Sequence, residues 1–212
     1  MKPLWERRRI RAEELAERWP EAAEVLRFYG LVLRLQDQGV SDPAAYVRLA
    51  REEGPPELEK KARELLDALA RQPERVRAAA AWTGPRASSA VPARCPHCGA
   101  PPAVGVLRDD PDAQALRRFL LCSECALEWE FPRVVCPDCG EEKAERLPRF
   151  AESGTPWIRV EACDACKAYL KAVDLSREPS AEPAVDELAS LALDLAARSR
   201  GYAKRLPNLS GL

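Results

Sequence analysis

Cys95-Pro96-His97-Cys98-Gly99 and, 41 residues later, Cys136-Pro137-Asp138-Cys139-Gly140 decide how this chain reads. Each opens a unit that closes with a second C-x-x-C pair, Cys122/Cys125 in the first and Cys163/Cys166 in the second. In both units 23 residues separate the two pairs, so a shift of 41 carries every cysteine onto a cysteine. All eight cysteines of the chain are used in this way, which marks an internal duplication.

The spacing suits a metal ion. Four thiolates around one tetrahedral ion hold metal–sulfur bonds of about 2.3 Å. Two cysteines separated by two residues reach such an ion from one tight turn. A glycine after the second cysteine (Gly99, Gly140) suits a backbone that turns with positive φ, and a proline after the first fixes the turn's opening φ. We assign one site to Cys95, Cys98, Cys122 and Cys125 and a second to Cys136, Cys139, Cys163 and Cys166. Interleaved pairing of first with third and second with fourth is the competing arrangement, and the duplication favours the sequential one. Four disulfides would suit a small secreted chain. Residues 1–11 are Arg-rich but lead into no apolar segment, so a signal peptide is not expected. A single redox dithiol is also disfavoured by four copies at paired spacing. The ion is Fe or Zn, since both accept four thiolates in tetrahedral geometry.

Outward from the cysteines, the 212 residues divide by pattern. The expected fold is α+β: an N-terminal helical bundle over 1–90, two tandem rubredoxin-like or zinc-ribbon modules over 91–134 and 135–178, and a C-terminal helix with its tail over 183–212. Residues 5–18 read as a helix with Ile10, Leu15 and Trp19 inward. Pro20 starts the next helix, and 21–38, apolar nearly all round, reads as a buried central helix that Gly39 stops. Further helices are expected over 41–52, along Leu58, Ala62, Leu65, Leu66 and Leu69, and from Pro73 to about Trp82, with a linker over 83–94. Short strands are expected at Ala103–Leu107, Arg118–Leu121, Trp157–Glu161 and Tyr169–Val173, with Trp129, Trp157 and Tyr169 packed over the sites. After a linker at Arg177–Pro183, Asp186–Arg200 reads as one helix with Leu188, Leu191, Leu195 and Ala192 on its inner stripe and Gly201 as its C′ residue.

Charge and motif content narrow the function. No apolar run approaches the ~18 residues of a membrane helix. Formal net charge is −1, falling to about −5 with two divalent tetrathiolate ions. Residues 91–175 carry 11 basic and 14 acidic side chains, so the phosphate-binding footprint of a nucleic-acid module is absent. His97, the one histidine, lies between two cysteines and is expected to face solvent. No Walker sequence, dinucleotide fingerprint or serine–histidine–acid set occurs. Carboxylates alternate with arginines as on solvated helix faces. No catalytic constellation is visible, and the chain reads as a non-enzyme.

Several segments beyond the cysteines carry a family resemblance. They are Leu26-Arg27-Phe28, Leu121-Cys122 with Glu128-Trp129, Arg159-Val160-Glu161-Ala162-Cys163-Asp164, Tyr169-Leu170-Lys171, and Asp186–Asp194 followed by Gly201-Tyr202 and Asn208. Together with the ordered C-x-x-C pairs they resemble the formate dehydrogenase accessory protein family (FdhE). Trp19-Pro20 departs from that family's usual His-Pro. The resemblance implies a cytoplasmic maturation or chaperone-like protein that binds the catalytic subunit of a formate dehydrogenase and carries two rubredoxin-like four-cysteine modules. No nucleic acid and no membrane insertion are expected. The candidate partner contacts are Arg159, Glu161, Asp186 and Glu187, although ordinary helix capping also accounts for the last two. A rubredoxin-type electron carrier and a zinc-ribbon nucleic-acid module are the alternative functions.

Overall fold

The computed structural model describes residues 3–40, positions 45, 48, 49, 52 and 53, and residues 92–210 except 111, 113, 114 and 153. The helices expected around 58–69 and 73–82 lie outside the described residues, as do most of the 41–52 helix and of the 83–94 linker. Two units emerge, residues 1–82 with 208–212, and residues 83–207.

In the first unit, α1 (Leu4–Arg18) and α2 (Ala23–Asp37) are joined by a single 3-10 turn at Pro20–Ala22. Glu6 in the first turn of α1 and Arg18 in its last both match the helix dipole. Its inward face is Arg8, Arg11, Ala12, Leu15 and Ala16. Ile10, expected inward, is 38 % exposed. It stands two positions from Ala12, roughly 200° round a helix of 3.6 residues per turn, so it cannot share that face. Helix α2 buries Val25, Leu26, Phe28 and Leu33, and Gly39 stops the chain there with φ +71°.

The second unit is built on one seven-stranded sheet. Strands β1 (Pro102–Asp110), β2 (Ala115–Cys122) and β3 (Glu128–Glu130) form an antiparallel meander. So do β4 (Arg149–Phe150), β5 (Ile158–Ala162) and β6 (Ala168–Asp174). These are the two copies of the repeat: the 41-residue shift lays β2 over β5 and β3 over β6. The copies join through β1 and β6, which run parallel, giving the order β3-β2-β1-β6-β5-β4. The first strand of one copy therefore meets the last strand of the other. At this seam Gly105 faces Ala172, and a Cβ at Gly105 would lie 3.1 Å from the Ala172 Cβ. The seam closes because position 105 has no side chain.

Helices α3 (Pro183–Ala189) and α4 (Leu191–Ser199) cover the sheet, and β7 (Ala203–Lys204) adds to β6 in parallel. The single helix expected over Asp186–Arg200 is thus two, broken at Ser190. The cause is Lys171, on β6 and fully buried. Its three N–H groups go to the Glu187 carbonyl (2.5 Å), the Asp194 carboxylate (2.6 Å) and, shared between two acceptors, the Ser190 Oγ (3.1 Å) and carbonyl (3.3 Å). Carbonyls that would have continued the helix are drawn to a cation, as at a helix C-terminus. The break also re-phases the inner stripe. Leu188 stays buried, but beyond Ser190 the inward residues are Leu193, Asp194 and Ala197, while Leu195 is 58 % exposed.

Lys204 joins the same group by pairing with Glu187 and with Asp194 at 3.1 Å, and the Tyr169 hydroxyl donates to Asp194 at 2.8 Å. Two buried lysines thus face two buried carboxylates. A partnered cluster of this kind fixes one arrangement of helices on the sheet, and removing a single member leaves a charge stranded.

Two outcomes are expected. Gly105→Val drives a side chain into Ala172 and lowers unfolding free energy by about 1–3 kcal/mol, read as a reduced denaturation midpoint at unchanged slope. Glu187 gives a pH signature. Burial raises its carboxyl, but Lys171 and Lys204 outweigh that and hold it at about 2, below its ordinary 4.5. A depressed acid stabilises above its unfolded value and loses that contribution as pH falls through its folded one. Wild type should therefore lose its advantage over Glu187→Gln between about pH 4.5 and 2. A stability difference that stays constant across that window contradicts the assignment.

Candidate metal centres

The knuckles are built by backbone before any ion is considered. In three of them the amide after the second cysteine bonds back to the first: Gly99 N to Cys95 O (2.9 Å), Gly140 N to Cys136 O (3.0 Å) and Lys167 N to Cys163 O (2.9 Å). All four close with the first cysteine's amide donating to the carbonyl five residues on, those of Ala100, Leu127, Glu141 and Ala168, each at 2.9 Å. This turn demands positive φ at its fifth position. Gly99 (+76°) and Gly140 (+78°) supply it as expected. Ala126 (+57°) and Lys167 (+58°) stand at the same place in the second knuckle of each copy. Aligning the four C-x-x-C pairs with one another marks these two positions, whereas a search for glycine alone passes over them.

The turns bring the sulfurs together in sequential order. Cys95, Cys98, Cys122 and Cys125 form one group, and Cys136, Cys139, Cys163 and Cys166 the other; within each, the four Sγ atoms lie within 4.8 Å of one another. The interleaved pairing is therefore not the one adopted. Contacts in the first group are 3.4 Å (Cys98–Cys122) and 3.6 Å (Cys95–Cys125 and Cys98–Cys125). In the second they are 3.6 Å (Cys139–Cys163) and 3.8 Å (Cys136–Cys166). A tetrahedron with ~2.3 Å metal–sulfur bonds has edges of about 3.8 Å. The donor set fits a tetrahedral ion that accepts four thiolates, and none of the eight cysteines is disulfide-bonded.

Burial gives each group an inner and an outer side. The first cysteine of every pair is buried; Cys98 and Cys125 are exposed, whereas Cys139 and Cys166 are partly covered. Cys95 and Cys122 pack into an apolar cluster with Leu120, Trp129, Phe131 and Val135. Trp129 thus packs against the first site as expected, its indole N–H donating to the Pro92 carbonyl (2.8 Å). The Trp157 N–H instead donates to Asp186 (3.0 Å). His97 is exposed.

The sulfurs differ in acidity before any ion acts on them. Burial pushes the Cys122 thiol up to about 12 and that of Cys139 up to about 11. Burial also works against Cys95, but the Cys98 and His97 amides outweigh it and bring this thiol down to about 6. Backbone amides also point at sulfur from Glu124 to Cys122 and from Asp138 to Cys136, both at 3.4 Å. A bound cation would remove the remaining protons, so loading releases protons and weakens as pH falls.

The four residues expected at a partner surface are engaged internally. Asp186 is fully buried; besides Trp157 it accepts from the Glu182 amide (2.9 Å), restraining the start of α3. Glu187 belongs to the lysine cluster. Glu161 is 9 % exposed and receives Arg118 (2.8 Å), Arg159 (2.7 Å) and, at 3.8 Å, Arg149. Against burial, which raises it, these guanidinium groups hold the Glu161 carboxyl below the usual range, Arg118 foremost. Arg159 keeps 23 % exposure. Arg118 and Arg149 escaped the sequence reading because strand charges carry no signal of what lies across the sheet.

Two variants test the knuckles. Ala126→Gly relieves a left-handed non-glycine residue and should stabilise the protein by about 0.5–1 kcal/mol. Cys122→Ser should lower bound metal from two equivalents to one and unfold the first copy's loops, read by metal analysis and amide exchange. Two equivalents retained in the serine variant would contradict the site.

Comparison with known proteins places this geometry. Two family models match in succession, "FdhE, central domain" over residues 94–133 and "FdhE, C-terminal domain" over residues 134–210. The boundary between them falls between the two cysteine groups. A "Protein FdhE homolog" of Pseudomonas aeruginosa is 40 % identical over 119 residues, covering 54 % of this chain and 38 % of the relative. Another, from Aquifex aeolicus, is 35 % identical over 117 residues, covering 55 % and 41 %. These matches span about two fifths of the curated relatives' length. The crystal structure of the FdhE protein from Pseudomonas aeruginosa superposes with a TM-score of 0.65 at 28 % identity, covering 97 % of this chain and 95 % of that one. Through its central and C-terminal domains, this chain belongs to the FdhE family.

Proposed function

We propose that the protein is an accessory factor for formate dehydrogenase maturation that binds the enzyme's catalytic subunit and takes no catalytic step itself. The observation that carries this reading is the coincidence of the two family domains with the two four-sulfur groups. In this reading each group holds one Fe or Zn ion, the first on Cys95, Cys98, Cys122 and Cys125 and the second on Cys136, Cys139, Cys163 and Cys166. The ions supply rigidity: they order the cysteine turns and so hold a binding surface in shape. Residues 91–134 and 135–178 serve as the two metal-bearing units of one platform.

Eight unpaired cysteines fit a reducing compartment, which supports a cytoplasmic site of action. Among the described residues no helix is long and apolar enough to cross a membrane. The exposed Cys98 and Cys125 sulfurs favour one alternative, a rubredoxin-type electron carrier, which requires reversible one-electron chemistry at an iron-loaded first site. A zinc-ribbon nucleic-acid module has no comparable support, given 14 acidic against 11 basic residues over 91–175.

The test is anaerobic purification of the tagged protein from its own source, with mass spectrometry of what accompanies it. A formate dehydrogenase catalytic subunit in stoichiometric amount is the expected result. A ferredoxin or nucleic acid in its place would transfer the function to one of the other two readings.

A further inference from the structure

A cavity of about 70 Å³ opens beside the second cysteine group. Its walls are largely apolar, from Val135, Leu147, Leu170 and Leu206, and Cys136 and Cys163 contribute to its lining. Space of this order holds a few water-sized bodies. That is room for a side chain and far below what a nucleotide-sized cofactor needs.

The charge around it is unbalanced. Two cations of the lining are already answered, Arg205 by Asp138 (2.7 Å) and Lys204 by Glu187 and Asp194. Arg118, Arg133 and Arg149 also line the cavity; Glu161 serves Arg118 and Arg149 and is shared with Arg159. Arg118 is 97 % buried and spends its terminal nitrogens on Glu161 and on the Pro132 and Val135 carbonyls. Its Nε has no hydrogen-bond partner. Arg133 is exposed and has no ion-pair partner among the described residues. Arg149 donates from Nη2 to the Arg133 carbonyl (2.6 Å), reaches Glu161 only at 3.8 Å and keeps 34 % exposure. Burial pulls its guanidinium down, and neighbouring Arg159, Arg118 and Arg133 pull the same way against Glu161. One buried carboxylate is therefore shared by three guanidinium groups, with a fourth, Arg133, beside Arg149 in the lining of an apolar slot.

We propose that this cavity is a docking site for a partner polypeptide, taking an apolar side chain into the slot and the adjacent carboxylate onto Arg133 and Arg149. Charge complementarity selects the occupant. Arginine pairs with carboxylate through two parallel N–H bonds, and the leucine and valine walls require an apolar body next to that charge. A free small anion would satisfy the arginines and leave the walls wet. The inference deepens the accessory reading, because it says where and by what chemistry a partner protein is held, and it rests on the chain binding a protein. It does not depend on which protein that is.

The experiment probes the metal-loaded full chain with an immobilised decapeptide array. The array places each apolar residue beside Asp or Glu, with Asn and Gln counterparts as controls. Acidic peptides should be retained, and their amide counterparts should bind about tenfold more weakly or worse. Arg133→Gln/Arg149→Gln should abolish that preference with metal content and circular dichroism unchanged. If the double variant fails to fold, Arg133→Glu alone, at an exposed position, should lower retention of the acidic peptides. Equal retention of acidic and amide peptides, no retention, or full binding by a folded variant would overturn the proposal. Acetate binding with the same arginine dependence and no peptide preference would reassign the cavity to small anions. Co-purification of formate dehydrogenase without array binding would leave the accessory reading intact and remove this site. Array binding without co-purification would do the reverse.

Discussion

Four sulfurs held about 3.8 Å apart are the requirement that most of the second unit is shaped to meet. Each group draws its sulfurs from two turns of one repeat copy, and each turn spends its own amides on its own carbonyls. The loop after β3 buries Phe131 and Val135 against the first group's inner cysteines. A cation held by the sulfurs would add to the cohesion of these turns, because binding free energy in such a site is folding free energy. The first cysteine of each pair faces inward and the second outward, so each ion would bridge core and surface.

The duplication solved the site twice and left the joining of the copies to other residues. Strands β1 and β6 are not equivalent in the repeat, so the seam needed features that neither copy supplies alone. Gly105 gives the close approach to Ala172, and Lys171 gathers Glu187, Ser190 and Asp194 from the two C-terminal helices. That second feature is ionic in a fully buried position. It holds a particular arrangement of helices where an apolar face would tolerate sliding.

The sequence announced the cysteine groups because ligand spacing is local, and four tight turns leave a mark in consecutive residues. The four strand positions were legible for a similar reason, as short apolar runs between turns. Contacts across the sheet were not. Nothing near Lys171 in sequence says that it will sit under Ser190 and split a helix whose leucines, read alone, run unbroken to Arg200. Ile10 and Leu195 failed alike, since periodicity fixes a face only when the phase is known. Glu161, Asp186 and Glu187 are expected from the sequence as partner contacts, and the sequence does not show that each is paired internally with a residue from elsewhere in the fold.

Two tetrathiolate ions are the central proposal for the second unit. X-ray absorption at the metal edge of anaerobically purified protein tests this most directly. It should show a first shell of four sulfur neighbours at about 2.3 Å and no lighter scatterers. A shell containing nitrogen or oxygen ligands, or a metal-free protein in which the cysteines are oxidised in pairs, would contradict it.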